Sequence, residues 1–99
     1  MEQKRKKIPH STVVRELSKR TNVSENVVKL VMNDYANFIT EQLLEGNEVE
    51  FFKICVFTFR RFNLRNLISF GNKKHKYTYS PYVRFSALLR EKIRKHYLV

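Results

Sequence analysis

An α+β fold is predicted by two changes of period along a chain of 99 residues. Up to Leu43 the apolar residues recur at helical spacing. Beyond Gly46 they alternate, in a stretch rich in aromatic and β-branched side chains, and from Ser86 the helical spacing returns. The order is therefore two helices, a three-stranded antiparallel sheet and a short closing helix.

Residues 1–10 read as a basic tail with no fixed structure of its own. The remainder, 11–99, is one domain. Ser11 or Thr12 is expected to cap a short helix with Val13, Val14 and Leu17 on its apolar face, ending near Thr21-Asn22. Ser24 caps a longer helix, with Glu25 against the positive end of its dipole. Its apolar positions, Val27, Val28, Val31, Tyr35, Phe38, Ile39 and Leu43, hold one helical face for about six turns. Gly46-Asn47 is the stop.

Val49, Phe51, Phe57 and Phe59 mark two strands with a reversal around Lys53-Ile54-Cys55. The second strand continues through 60–69, turns at Phe70-Gly71-Asn72-Lys73 and returns over 74–82. Strands of about ten residues reach roughly 33 Å, further than so small a domain can cover. Residues 60–80 should accordingly project as an arm. Ser86 caps the last helix, with Leu88, Leu89, Ile93 and Tyr97 on one face and Arg90, Lys92, Arg94 and Lys95 elsewhere.

Charge is sorted by region within a total of +11. Residues 1–23 carry seven Lys/Arg against Glu2 and Glu16, a net +5; residues 24–50 carry six acids against Lys29, a net −5; residues 51–99 set twelve Lys/Arg against Glu91, a net +11. Like charges crowded into one half repel one another unless a polyanion neutralises them, which makes nucleic acid the first candidate partner. With 42% hydrophobic residues the chain has enough apolar material to fold, and its small size favours pairing with another chain. Cys55 is the only cysteine, so no intramolecular disulfide is available, and a buried role is expected for it.

Other classes find little to stand on. After Lys4-Arg5-Lys6-Lys7 comes Ile8-Pro9-His10-Ser11, where a signal peptide needs an apolar run of about seven residues or more. No window of about eighteen apolar residues would cross a membrane. The expected location is inside a cell or inside a particle. His10, His75, His96 and Cys55 lack metal-ligand spacing, and no phosphate loop or nucleophile motif occurs. No enzyme, cofactor or metal is expected. A helix-turn-helix around Thr21-Asn22-Val23 would send the −5 segment into the major groove, where phosphates repel it.

Taken together, the Ser24–Gly46 helix and turn, Val49, Phe51, Phe57 and Phe59 in the sheet, and Ser80-Pro81-Tyr82-Val83 with Leu88-Leu89-Arg90-Glu91 at the end resemble the HU and integration host factor family of bacterial histone-like DNA-binding proteins. The resemblance covers about residues 11–97. It implies an intertwined dimer, homomeric or formed with a related subunit, a basic β-arm on duplex DNA, and a nucleoid location. Three departures stand out. The family's Gly-Phe-Gly-x-Phe turn reads Lys53-Ile54-Cys55-Val56-Phe57 here; the arm is about three residues shorter, with Phe70 where the family's tip carries an Arg-Asn-Pro type sequence; and the basic N-terminal extension is additional.

The candidate DNA-binding residues are Arg60, Arg61, Arg65, Lys73, Lys74 and Lys76 on the arm, Arg84 at its base, and Phe70 at its tip. Extended Lys and Arg surfaces bind phosphates by counterion release; the bland alternative is a solvated ribbon that resists edge-to-edge aggregation. Phe70 can be a wedge between base pairs, or can pack on protein or on Tyr77. The Lys4–Lys7 tail is either a further phosphate contact or merely solvated. Alternation puts Phe62, Leu64, Ile68 and Phe70 on one side of the first arm strand, against Arg61, Asn63 and Arg65. On the return strand His75, Tyr77 and Tyr79 are set against Lys74, Lys76 and Thr78. An apolar arm face marks an interaction site. Two functions follow: an architectural protein that binds, bends or compacts duplex DNA with little sequence preference, or a structural subunit of a bacteriophage particle or other assembly, located in the virion, whose arm contacts protein.

Overall fold

The computed structural model describes the backbone of residues 5–70 and 73–98, and side chains over 5–63 and 77–98. In order come α1 (His10–Thr21), α2 (Glu25–Leu44), β1 (Val49–Phe51), β2 (Cys55–Phe70), β3 (Lys73–Phe85) and α3 (Ala87–His96). The strands form one antiparallel sheet in the order β1-β2-β3. The predicted element order is the observed one. The chain divides into two compact units, Met1–Phe38 and Ile39–Val99.

In the first unit α1 begins a residue earlier than Ser11. Pro9 occupies the cap position with no side-chain cap, and its carbonyl accepts from the N–H groups of Thr12 (3.0 Å) and Val13 (3.1 Å). Ser11 and Thr12 are therefore first-turn residues and not caps. A proline with extended ψ can start a helix because the N–H it lacks has no intrahelical partner there. Asn22 ends α1 in the left-handed conformation, at φ 57°. Ser24 does cap α2: its hydroxyl accepts from Val27 N–H at 3.3 Å and its carbonyl from Val28 N–H at 3.0 Å. Val14 and Val28 are buried, yet Val27, Leu30, Val31 and Phe38 remain exposed along α2. Leu17, Val23, Val27, Val28, Val31 and Met32 line an open apolar hollow.

In the second unit α2 stops by a Schellman motif. Asn47 N–H donates to Gln42 O (2.9 Å) and Gly46 N–H to Leu43 O (3.1 Å), with Gly46 at φ 89° and a side-chain bond from Asn47 Nδ2 to Gln42 Oε1. β1 and β2 pair from Val49↔Phe57 to Phe51↔Cys55, and the reversal lies at 52–54, closed by Ile54 N–H on Phe51 O at 3.0 Å. Cys55 is thus the first residue of β2 and not part of the turn. Val49, Cys55 and Thr58 are buried at this junction, and Phe51 stacks on Phe57. Ser86 joins the turn to α3. It accepts from Leu89 N–H as the helix cap, while its hydroxyl donates to Lys53 O and its N–H to Ile54 O, each at 2.9 Å.

Candidate nucleic-acid interface

β1 accompanies β2 only as far as Phe57. From Thr58 outward β3 is the sole strand paired with β2, through Thr58↔Tyr82, Arg60↔Ser80, Phe62↔Thr78 and on to Phe70↔Lys73, with a register shift between Asn63 and Ile68. Arg60, Arg61, Phe62, Asn63, Tyr77, Thr78 and Tyr79 are all exposed. Such a two-stranded ribbon with both faces in solvent is the expected arm. Arg65, Phe70, Lys73, Lys74 and Lys76 lie on strands of that ribbon, but their side chains fall outside the described residues; of the turn expected at Phe70-Gly71-Asn72-Lys73, Phe70 and Lys73 are paired strand residues, and Gly71 and Asn72 lie outside the described residues. The Lys4–Lys7 tail is described only from Arg5, which is exposed with Lys6 and Lys7.

Directly paired residues share a face of a sheet. One face of the ribbon root therefore carries Thr58, Arg60, Phe62, Thr78, Ser80, Tyr82 and, beside Val56, Arg84; the other carries Phe57, Phe59, Arg61, Asn63, Tyr77, Tyr79, Pro81 and Val83. Phe62 and the two tyrosines are on opposite sides. At the root the register pairs Phe62 with Thr78 on one face and gathers Phe57, Phe59, Tyr77, Tyr79, Pro81 and Val83 on the other, with Phe59 edge-on to Tyr79 at 5.7 Å, so the aromatics of the arm are divided between its two sides. Each face also holds an arginine over an aromatic ring. The Arg60 guanidinium lies 4.3 Å from the Tyr82 ring centre, and that of Arg61 lies 4.9 Å from Tyr77. A guanidinium stacked on a ring keeps its N–H edge free for phosphate while losing less freedom on binding.

Arg84 is placed differently. Its Nη1 is 3.8 Å from Glu48 Oε2, and the same carboxylate oxygen accepts the hydroxyl of buried Thr58 at 2.7 Å. Sequence reasoning gave Glu48 no role, since its partners are ten and thirty-six residues away. Beyond β3, α3 offers Arg90, Lys92, Arg94 and Lys95, all exposed, with Lys95 paired to Glu91 at 3.4 Å. Arg84 and Arg90 border one surface hollow, and Arg90 and Arg94 the next. Among the described residues there is no cluster of metal-ligating side chains and no helix long and apolar enough to cross a membrane.

A family model described as "Bacterial DNA-binding protein" matches residues 9–94. The chain belongs to that family. As a member it is a DNA-binding protein of the histone-like kind and not an enzyme. A solved structure with the same fold is the Anabaena HU–DNA cocrystal structure (AHU2), 21% identical, at a TM-score of 0.69 over 84% of this chain and 94% of that one. Among curated proteins none matches by sequence.

Proposed function

We propose that the protein bends or compacts duplex DNA with little sequence preference, as a dimer whose arms and arm roots engage phosphates. The observation that carries this is the isolated two-stranded ribbon with Arg60 and Arg61 exposed and supported on rings at its root. Phosphate contacts set affinity and orientation but read no sequence. The relative solved with DNA shares this architecture. Arg65, Lys73, Lys74 and Lys76 extend the basic track along the strands towards the tip, and in this reading Phe70 acts as the wedge at a base step. A nucleoid location follows from this use.

The dimer is argued from missing cover. Leu30 is 69%, Val31 60% and Leu44 83% exposed, and Thr40, Leu43, Leu44, Phe59, Tyr79 and Pro81 line an open, mainly apolar groove. A second copy offering the same surfaces is the self-complementary way to bury them. The phage-particle reading drew on the lost glycines, the missing tip proline and an apolar arm face; the register weakens the last of these, because it sets Phe62 on the opposite side from Tyr77 and Tyr79 at the arm root.

The test is a gel-shift titration in salt. With roughly six phosphates engaged, log K falls against log salt with a slope near −5. A shallow slope, or no binding to duplex at low salt, overturns the reading.

A further inference from the structure

The polar face of the sheet has less positive charge than the chain's total suggests. Across its three strands, the row Glu50, Val56, Arg84 is followed by Thr58 and Tyr82 with Glu48 bonded to Thr58, and then by Arg60 and Ser80. Glu48 and Glu50 share this face with Arg60 and Arg84, so its formal charge at the root is zero while the chain as a whole carries +11. Glu48 is also not a freely swinging side chain. The Thr58 hydroxyl is held in a residue only 6% exposed and fixes Oε2, the same atom that faces Arg84.

We infer that Glu48 is an affinity-setting residue: a built-in competitor that occupies Arg84 in the free protein and must be exchanged for a DNA phosphate when the sheet face is engaged. The inference rests on the DNA-binding reading above and adds a residue to it. Both members of the pair are about half exposed, so the ion pair itself adds little stability. Its effect lies in binding. A phosphate approaching Arg84 meets a carboxylate already seated beside it, and the exchange releases fewer counterions than a free arginine would. The pair thus lowers the contribution of the arm root relative to the arm itself.

Glu48→Gln tests this, because an amide oxygen still accepts the Thr58 hydroxyl while the charge is gone. Duplex affinity and salt slope are measured for the wild type, Glu48→Gln, Arg84→Gln, the double variant and Glu50→Gln, with thermal melts to confirm the fold. Glu48→Gln is expected to tighten binding at low salt about three- to fivefold and to steepen the slope by about one. In the Arg84→Gln background most of that gain should vanish. Glu50→Gln makes the same charge change without an ion pair to Arg84, and should gain less. An unchanged affinity in Glu48→Gln, an undiminished gain without Arg84, or an equal gain from Glu50→Gln overturns the inference alone. A wild type that ignores duplex DNA overturns the underlying reading as well.

Discussion

The segment 24–50 and the segment 51–99 are both unfinished surfaces, of opposite kinds. The first is acidic and leaves Leu30, Val31, Phe38 and Leu44 in water along one helix. The second is basic and leaves Arg60 and Arg61 in water along a ribbon. Apolar surface is satisfied by more apolar surface, and clustered positive charge by a polyanion. On the proposed reading, one short chain separates the surface for a second copy from the surface for DNA by sorting residue chemistry along the sequence.

The sharpest way to break this division is to put charge where apolar cover is required. Val31→Glu should abolish self-association, because an unpaired carboxylate buried between apolar surfaces costs several kcal/mol. Sedimentation equilibrium should then show monomer, and the melting temperature should fall by more than about 10 °C. An unaltered dimer would move the interface away from α2. Next in size is the other side of the comparison. Replacing Arg60, Arg61 and Arg84 together by Gln should leave the dimer intact while reducing the salt slope by about 1.8, since Glu48 already offsets the contribution of Arg84. An unchanged slope would mean that the phosphates are met elsewhere, with α3 the next surface to test.

How far the two regions were legible in the sequence differs in the same way. Helical spacing and the Gly46-Asn47 stop were readable because each depends on neighbours within a turn, and the Ser24 and Ser86 caps are local too. The arm was readable from strand length. Lateral pairing was not. Whether Phe62 shares a face with Tyr77 depends on the register of two strands, which no local rule supplies, and Glu48 meets Thr58 and Arg84 only because β1 and β3 flank β2. The α1 cap was misplaced by a smaller competition: serine and threonine stood at plausible positions, and Pro9 took the entrance.

A smaller effect separates the caps from the surfaces they support. Ser86→Ala removes the acceptor of Leu89 N–H and the donor to Lys53 O, and should cost about 1 kcal/mol in chemical denaturation. Gly46→Ala meets no atom within 4 Å of the added methyl, so its whole cost is the left-handed backbone at φ 89°, about 1 kcal/mol. A neutral result at either position would mean that the loop between α2 and β1, or the start of α3, relaxes without disturbing the sheet.

At the turn between β1 and β2 the chain reads Lys53-Ile54-Cys55 where the resemblance to the family leads one to expect glycines. Neither Lys53 nor Cys55 has a positive φ; the left-handed residue is Phe52, at φ 46°, which is 77% exposed. A bulky residue held there costs about 1–2 kcal/mol of backbone energy, and its visible return is the Lys53 ammonium 5.7 Å from the ring centre, worth at most about 0.5–1 kcal/mol at an exposed site. Phe52→Gly should therefore stabilise the protein slightly, by about 0.5 kcal/mol, and raise the melting temperature by about 2–4 °C. Glycine also adds freedom to the unfolded chain, which holds the gain below the strain it relieves. A fall in melting temperature would instead mean that the ring is covered in the assembled protein, and that the turn between β1 and β2 belongs with α2 among the surfaces built for a second chain.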